Sequence, residues 1–272
     1  WAICICNEGL WSSFAVMNSL GKGLYALLTF LLISSQLMAM EPIDTDGPDF
    51  VESSEVVPKN YFQYELDIGT ASRSKNSVQT ALTDTPLLMK YGIAENWELR
   101  IASDGFMNQN GQQGAGNTAF GFKYHSQDRN GDVGIPAIAW IVQFQTPIAT
   151  PYFRTGGILP SLRSVLTWDL PSDYALGLMP GIATQANEAG QTYTAGIFGT
   201  VLNKKLTDKL RAFVELSMPT ISKPNQNGIL ASGDIGAAYL LTNDTQLGFR
   251  AGLGLNSNSP KKYGLVEIAQ RF

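Results

Sequence analysis

Side chains that could do chemistry are sparse in this sequence of 272 residues. The only histidine is His125, which is followed by Ser126, and nucleophilic catalysis needs a nucleophile together with a base. No cluster of histidine or cysteine ligands indicates a metal site. GQQGAG and GLGLN do not match the spacing of a phosphate loop followed by a helix, and QDRNGDVG lacks the terminal glutamate of a calcium loop. We therefore predict no enzyme activity, no metal and no cofactor.

Charged residues instead occur singly within segments of strictly alternating polarity. In YFQYELDIG the apolar residues Phe62 to Ile68 alternate with Gln63, Glu65 and Asp67, and a period of two indicates a strand with one apolar and one polar face. The same alternation recurs in WELRIA, NTAFGFKYH, AIAWIVQFQ, KLRAFVELS and TQLGFRAGL. The charged residues that this pattern places on the polar faces are Glu65, Glu98, Arg100, Lys123, Arg211, Glu215, Arg250 and Glu267.

The strands that must position these charges form a regular series. The pattern predicts about twelve, near residues 61–71, 79–91, 97–105, 116–125, 136–146, 161–170, 173–184, 191–202, 208–218, 230–241, 245–255 and 263–272. Tight connections such as GIAEN, PSD and TND alternate with long ones such as SDGFMNQNGQQGA and TPIATPYFRTGGILP. Short turns alternating with long loops are typical of an outer-membrane barrel. The predicted fold class is all-β, a transmembrane antiparallel β-barrel.

The cost of charge in lipid assigns the two faces of each strand. A charge on the lipid face costs about 2–4 kcal/mol at the midplane of the bilayer, so the charged residues are expected to line the lumen. By the same parity His125 faces inward, whereas the site of a barrel phospholipase would face outward. Aromatic residues near the ends of the apolar faces, such as Trp97 and Tyr239, are expected at the two interfaces of the membrane.

The segment ahead of the strands has the order of a secretory signal. Lys22 precedes the apolar stretch Leu24 to Ile33, and small residues follow it. We expect translation to start at Met17 and residues 1–40 to be an upstream stretch plus a cleaved signal peptide. Both cysteines lie within those residues. Residues 41–60 are predicted to be a periplasmic leader, which either enters the mouth of the barrel or remains a mobile tail, and residues 61–272 the barrel.

The last predicted strand, YGLVEIAQRF, ends on an aromatic residue. It is expected to pair with the first strand, which leaves no unpaired strand edge in lipid. Phe272 is similar to the terminal signal that the barrel-assembly machinery reads, although Gln270 stands where that signal usually has a second aromatic residue.

Several of these segments resemble a bacterial outer-membrane family labelled as transporters of the meta-pathway of phenol degradation. The likeness is carried by GPDFVESSEVVPKNYFQYELDIG, TPLLMKYGIAENWELRI, LTDKLRAFVEL and GAAYLLTNDTQL, and it covers nearly all of residues 46–272. The leader of that family reads D-R-P-D-F-T-E-S, so that Gly47 replaces its arginine and Val51 its threonine. The matching residues are Pro48, Asp49, Phe50, Glu52, Ser53, Val57, Pro58, Gln63, Glu65, Leu87, Leu88, Tyr91, Gly92, Glu98, Leu99, Arg100, Arg271 and Phe272. The resemblance implies a barrel in the outer membrane.

The expected function is passage of small solutes, aromatic ones among them, across the outer membrane. The alternative is a closed structural or adhesive barrel, in which the inward charges form a salt-bridged plug and the long loops bind a ligand. The expected partners are outer-membrane lipid, the barrel-assembly machinery and a small solute. A net charge of −4 gives no electrostatic reason to expect nucleic acid.

Overall fold

The computed structural model describes residues 41–75, 78–131, 134–187 and 189–272. The predicted signal peptide and the start at Met17 lie outside the described residues. Contacts divide the chain after Glu41, and the second unit, residues 42–272, contains the sheet. Among the described residues, no helix is long and apolar enough to cross a membrane.

The sheet is antiparallel and closed. Its strands are β1 (Phe62–Lys75), β2 (Val78–Asp84), β3 (Leu87–Ala94), β4 (Trp97–Ser103), β5 (Phe106–Gln109), β6 (Gln112–Ala115), β7 (Thr118–Gln127), β8 (Ala137–Thr146), β9 (Leu159–Leu170), β10 (Tyr174–Ala186), β11 (Thr192–Lys205), β12 (Leu210–Ile221), β13 (Leu230–Thr242), β14 (Thr245–Gly254) and β15 (Lys262–Arg271). A short 3₁₀ turn, Pro224–Gln226, precedes β13. β1 pairs with β15 from Gln63–Arg271 to Ser72–Lys262, so the predicted closure of the sheet is confirmed.

The fifteen strands of the described residues make a twelve-stranded barrel, because three of the twelve strand positions are each occupied by two shorter strands in line. β2 and β3 occupy one such position, and both pair with β1 on either side of the break at Thr85 and Pro86. Proline has no backbone N–H to donate to a neighbouring strand, which accounts for a break at this position. The next two strand positions of the barrel are occupied by β4 with β5 and by β6 with β7. The predicted twelve-stranded barrel is confirmed.

One predicted loop is wrong, because part of SDGFMNQNGQQGA forms the hairpin β5–β6. Its turn is Asn110-Gly111, with φ of 52° and 86°. Two residues with positive φ define the turn that best matches the twist of a two-residue hairpin, and Asn-Gly is its preferred sequence. The signal for this hairpin was therefore present in the sequence.

The connections separate the two ends of the barrel. We call "turn end" the end that carries the short connections 95–96, 171–173, 206–209 and 243–244, and "loop end" the end that carries 147–158, 222–229 and 255–261. The outer surface presents large apolar side chains, among them Ile68, Leu99, Phe120, Val214, Phe249 and Val266. Exposed aromatic residues lie near the turn end, namely Tyr61, Tyr91, Trp97, Tyr174 and Tyr239. A belt of this composition is stable in lipid and not in water.

Candidate functional site: a segment inside the barrel

Residues 42–58, part of the range predicted to be a periplasmic leader, lie inside the barrel, and we call them the lumenal segment. The segment starts at the turn end, where the Ile43 N–H donates to the Asn243 carbonyl at 2.7 Å. It returns to the same end, where Lys59 bridges to Gly92 just before β1 begins. Between these points the segment has no regular secondary structure. Its backbone groups must therefore find partners on the barrel wall.

Two wall carboxylates, Glu65 and Glu215, each accept hydrogen bonds from two successive residues of the lumenal segment. Glu65 accepts from the N–H groups of Asp46 and Gly47 at 3.0 Å. Glu215 accepts from the N–H groups of Phe50 and Val51 at 2.8 and 2.7 Å. A carboxylate that accepts several backbone N–H groups fixes the path of the chain as well as its charge.

Near the return of the lumenal segment to the turn end, Glu98 and His125 hold its backbone. Glu98 accepts from the Val57 N–H at 2.8 Å, and His125 Nδ1 lies 2.8 Å from the Ser54 carbonyl. Both Glu98 and His125 are buried. These contacts fix the residues that lead into β1.

Asp46 is the centre of a buried charge cluster. Its carboxylate lies 3.0 Å from Lys90 Nζ, 3.0 Å from Arg100 Nη1 and 2.6 Å from Lys123 Nζ. Arg100 also contacts Glu98 at 2.9 Å. Three cations from three different strands thus converge on one carboxylate of the lumenal segment.

Two further acids of the lumenal segment contact wall arginines. Glu52 accepts from Arg100 Nη2 at 2.5 Å and from Arg163. Asp49 accepts from both terminal nitrogens of Arg211, at 2.8 and 3.0 Å. Asp46, Asp49 and Glu52 of the segment thus all pair with cations of the wall.

The cations determine the ionisation of the segment's acids. Burial opposes the charge on Asp46, but Lys123, Lys90 and Arg100 outweigh it and hold the pKa of Asp46 well below its usual range. Burial also opposes the charge on Glu52, and the pKa of Glu52 is lowered by Arg100 and Arg163. Both acids are therefore ionised at neutral pH and remain paired.

The lumenal segment also contributes to an apolar cluster. Val51 packs with Ile141, Val165, Met179, Val201 and Phe213, which are buried, and Phe50 packs against the same group. Gly199 makes room for them, since a Cβ built there would lie 2.7 Å from Val51 Cγ2 and 2.9 Å from Phe50 Cδ1. A Cβ at this wall position would require the side chains of Val51 and Phe50 to shift, so the segment lies directly against β11 here.

The lumenal segment lies between two cavities. The cavity on the turn-end side has a volume of about 680 Å³ and is lined by Thr167, Lys205 and Leu210 among others. The cavity on the other side measures about 330 Å³ and is lined by Pro86, Gln143 and Glu267 among others. Asp49 and Glu52 line both cavities. The segment therefore divides the interior of the barrel.

Seven of the eight charged residues predicted to line the lumen lie against the lumenal segment. Glu65, Glu98, Arg100, Lys123, Arg211 and Glu215 form hydrogen bonds with it, and Glu267 lies against its Gly47. Arg250 instead contacts Glu215, at 3.5 Å. Phe272 follows β15 and packs its ring near those of Phe62 and Tyr64, with centroids 6.3 and 6.1 Å away.

Sequence reasoning missed Lys90, Arg163 and the acids of the lumenal segment. Lys90 alternates with Met89 and Tyr91 on β3, so its polar-face position was readable from the pattern. Arg163 lies two residues before the buried Val165 on β9, where small residues weaken the alternation. The acids Asp46, Asp49 and Glu52 lie outside any strand, and no periodicity indicates what they contact.

Comparison with known proteins supports the fold. The structure is similar to an outer-membrane channel from Pseudomonas putida F1, with a TM-score of 0.61 and 11% sequence identity over 83% of this chain and 99% of that chain. It is also similar to the NanC porin, with a TM-score of 0.53 and 11% identity over 76% of this chain and 98% of that chain. No curated protein sequence matches the chain.

These observations agree with one another. The closed antiparallel sheet, its apolar exterior and its fold place the protein in the outer membrane. The family profile described as "Putative MetA-pathway of phenol degradation" matches residues 45–272. The chain belongs to this family, and the resemblance found in the sequence is confirmed.

Proposed function

We propose that the protein is an outer-membrane channel for small aromatic solutes, and that the lumenal segment is its gate. The observation that carries the proposal is the position of the segment between the two cavities. A solute that crosses the barrel has to pass this segment. The family description, which refers to phenol degradation, supports an aromatic solute.

The way the segment is held is consistent with a gate. Its contacts with the wall are mainly side-chain hydrogen bonds and ion pairs, whereas the strands pair with one another through continuous ladders. Movement of the segment therefore leaves the barrel intact. The closed form is favoured because its acids would otherwise leave buried cations unpaired.

Passage of a solute accounts for the site better than catalysis does. His125 contacts the lumenal segment and Asp128, and its Nε2 lies 2.9 Å from Asp128 Oδ1. Ser126 Oγ instead donates to the Ile138 carbonyl at 3.1 Å. The histidine thus positions the segment, and the neighbouring hydroxyl is not directed toward it.

A reversible lock tests the gate. A variant with Val51→Cys and Gly199→Cys, in a background with Cys4→Ser and Cys6→Ser, allows a disulfide between the segment and β11, where a Cβ at Gly199 would lie 2.7 Å from Val51 Cγ2. Phenol flux into proteoliposomes and conductance in planar bilayers are measured before and after reduction. We expect low flux in the oxidised protein and recovery on reduction. The matched control carries Val51→Cys alone.

The outcomes separate the two candidate functions. Equal flux in the oxidised and reduced forms would show that the lumenal segment is not a gate. An absence of flux and conductance in every form, including the control, would favour the closed structural or adhesive barrel.

A further inference from the structure

The cavity on the loop-end side of the lumenal segment is lined by apolar side chains and by several charged ones, among them Asp67 and Glu267. Its volume is about 330 Å³, which is large enough for a small organic molecule. Pro86, Leu88, Ala102 and Phe50 contribute apolar surface, and Asp67 and Glu267 contribute carboxylates.

Asp67 and Glu267 are directly opposite each other on the paired strands β1 and β15. Like charges in this position are destabilising. Within the described part of the chain, Asp67 Oδ1 and Glu267 Oε1 are buried and have no hydrogen-bond partner. Only 4% of the Glu267 surface is exposed. A buried acceptor without a partner is costly, so this pair is suited to receive a donor.

The neighbouring carboxylate on β1 shows the contrast. Glu65 lies 2.5 Å from Lys90 Nζ and accepts from two backbone N–H groups of the lumenal segment. The arginines nearest to the Asp67–Glu267 pair are engaged elsewhere, since Arg211 contacts Asp49 and Arg250 contacts Glu215. The lumenal segment donates hydrogen bonds to Glu65 of β1, whereas Asp67 Oδ1 on the same strand has no hydrogen-bond partner in the part of the chain that the structure describes.

Gly47 lies directly against Glu267. A Cβ at this position would clash with Glu267 Oε2, so that any side chain there would displace the carboxylate. Glycine therefore allows the carboxylate to keep its position in the cavity lining.

We propose that Asp67 and Glu267 form a solute-binding subsite in this cavity. Its ligand is a compact apolar molecule with one hydrogen-bond-donating head, either an aromatic hydroxyl or the ammonium group of an arylalkylamine. The head donates to the carboxylates, and the ring packs on Pro86, Leu88 and Phe50. Among the described residues no group of three or more acidic, histidine or cysteine side chains is placed to hold a metal ion, which favours an organic ligand. The inference rests on the proposed channel function.

Equilibrium binding to the full chain in nanodiscs tests the subsite, with empty nanodiscs as the blank. The probes are phenol, benzylamine, toluene and benzoate. We expect phenol and benzylamine to bind, toluene to bind more weakly because it has no donor, and benzoate not to bind because of its charge. Preference for phenol or for benzylamine identifies which donor the subsite takes.

Three variants make the test specific. Asp67→Asn with Glu267→Gln should weaken binding of the preferred probe by about tenfold or more. Gly47→Arg should do the same, because its side chain would displace the Glu267 carboxylate and enter the cavity. Asp104→Asn is the matched control, because Asp104 lines the same cavity but already accepts from the Asn117 N–H at 3.0 Å. Heat-modifiable migration on a gel confirms that each variant is folded.

The outcomes distinguish this inference from the proposed function. Unchanged binding in both altered forms, or an equal loss with Asp104→Asn, would overturn the subsite whether or not the channel conducts. Normal binding with no flux in any variant would overturn the channel and leave the subsite in place.

Discussion

Lys123 Nζ lies 2.6 Å from Asp46 Oδ1, and 0% and 4% of the two side chains are exposed. Lys123 also donates to the carbonyl groups of Ser53 and Glu55, at 3.0 and 3.1 Å. One wall lysine therefore holds both the early and the late part of the lumenal segment. A buried pair of this kind is costly to break, because removal of one partner leaves the other charge uncompensated.

Replacement of Asp46 should release the lumenal segment. Asp46→Ala leaves Lys90, Arg100 and Lys123 short of one counter-charge, and we expect a loss of about 3–5 kcal/mol in stability together with a higher conductance. The melting of the heat-modifiable band and single-channel recordings measure the two effects. Asp44→Ala, which removes an exposed acid of the same segment, is the control. Equal effects of the two substitutions would contradict a specific role of Asp46.

Arg100 should set the ion preference of the open channel. It contacts Asp46, Glu52 and Glu98, and Arg100→Ala makes this part of the interior more acidic. We expect the reversal potential in a salt gradient to shift toward cation preference. Arg129→Ala, at a more exposed arginine near the turn end, should shift it less. An unchanged reversal potential and unchanged melting would show that Arg100 neither lines the path nor holds the segment.

Acid should release the lumenal segment only at low pH. The pKa values of Asp46 and Glu52 are lowered in the folded protein, by Lys123, Lys90 and Arg100 and by Arg100 and Arg163 respectively, against the effect of burial. A depressed pKa contributes stability that is fully present above the unfolded value of about 4 and is lost as the pH falls through the lower folded value.

Conductance measured from pH 7 to pH 3 checks this expectation. It should stay low down to about pH 4 and rise below it. In the Asp46→Asn, Glu52→Gln double variant the rise in conductance at low pH should disappear, because the amide side chains at these two positions do not titrate. A full opening of the unaltered protein already at pH 6 would show that other groups control the segment.

The role of Phe272 as a signal for the barrel-assembly machinery stays a prediction, and the packing of its ring allows a test. Phe272→Ala should reduce the amount of folded protein in the outer membrane by several-fold, while refolding of purified protein in detergent changes little. The ring contacts with Phe62 and Tyr64 are worth only about 0.5–1.5 kcal/mol each. Phe62→Ala, which removes part of the same packing, is the control. Equal losses in cells and in detergent would make Phe272 a packing residue only.

The barrel could be predicted from the sequence because polar and apolar residues alternate regularly along its strands. The alternation around Glu65, Glu98 and Glu215 fixes which face of each strand is polar, since every second residue faces the same side. The hairpin β5–β6 was missed because loop length was weighed above its Asn110-Gly111 turn.

The path of the lumenal segment has no comparable signal. The carboxylates of Asp46, Asp49 and Glu52 contact wall cations that are 44 to 162 positions away in the sequence. Their partners were visible as single charges, but which acid meets which base depends on the shape of the closed interior. The position of the Glu267 carboxylate likewise depends on a residue distant in the sequence, because a side chain at Gly47 would displace it.

The convergence of Lys90, Arg100 and Lys123 on Asp46 also bears on how the protein is made. Lys90 and Arg100 are directly opposite each other on the paired strands β3 and β4, and Lys123 lies on β7, which pairs with β4. The three cations therefore come together as soon as these strands pair, and without a negative charge between them their mutual repulsion would oppose that pairing. The lumenal segment precedes β1 in the chain, whereas the seam between β1 and β15 needs the last strand. The counter-charge of Asp46 is thus encoded ahead of the strands whose like charges it offsets.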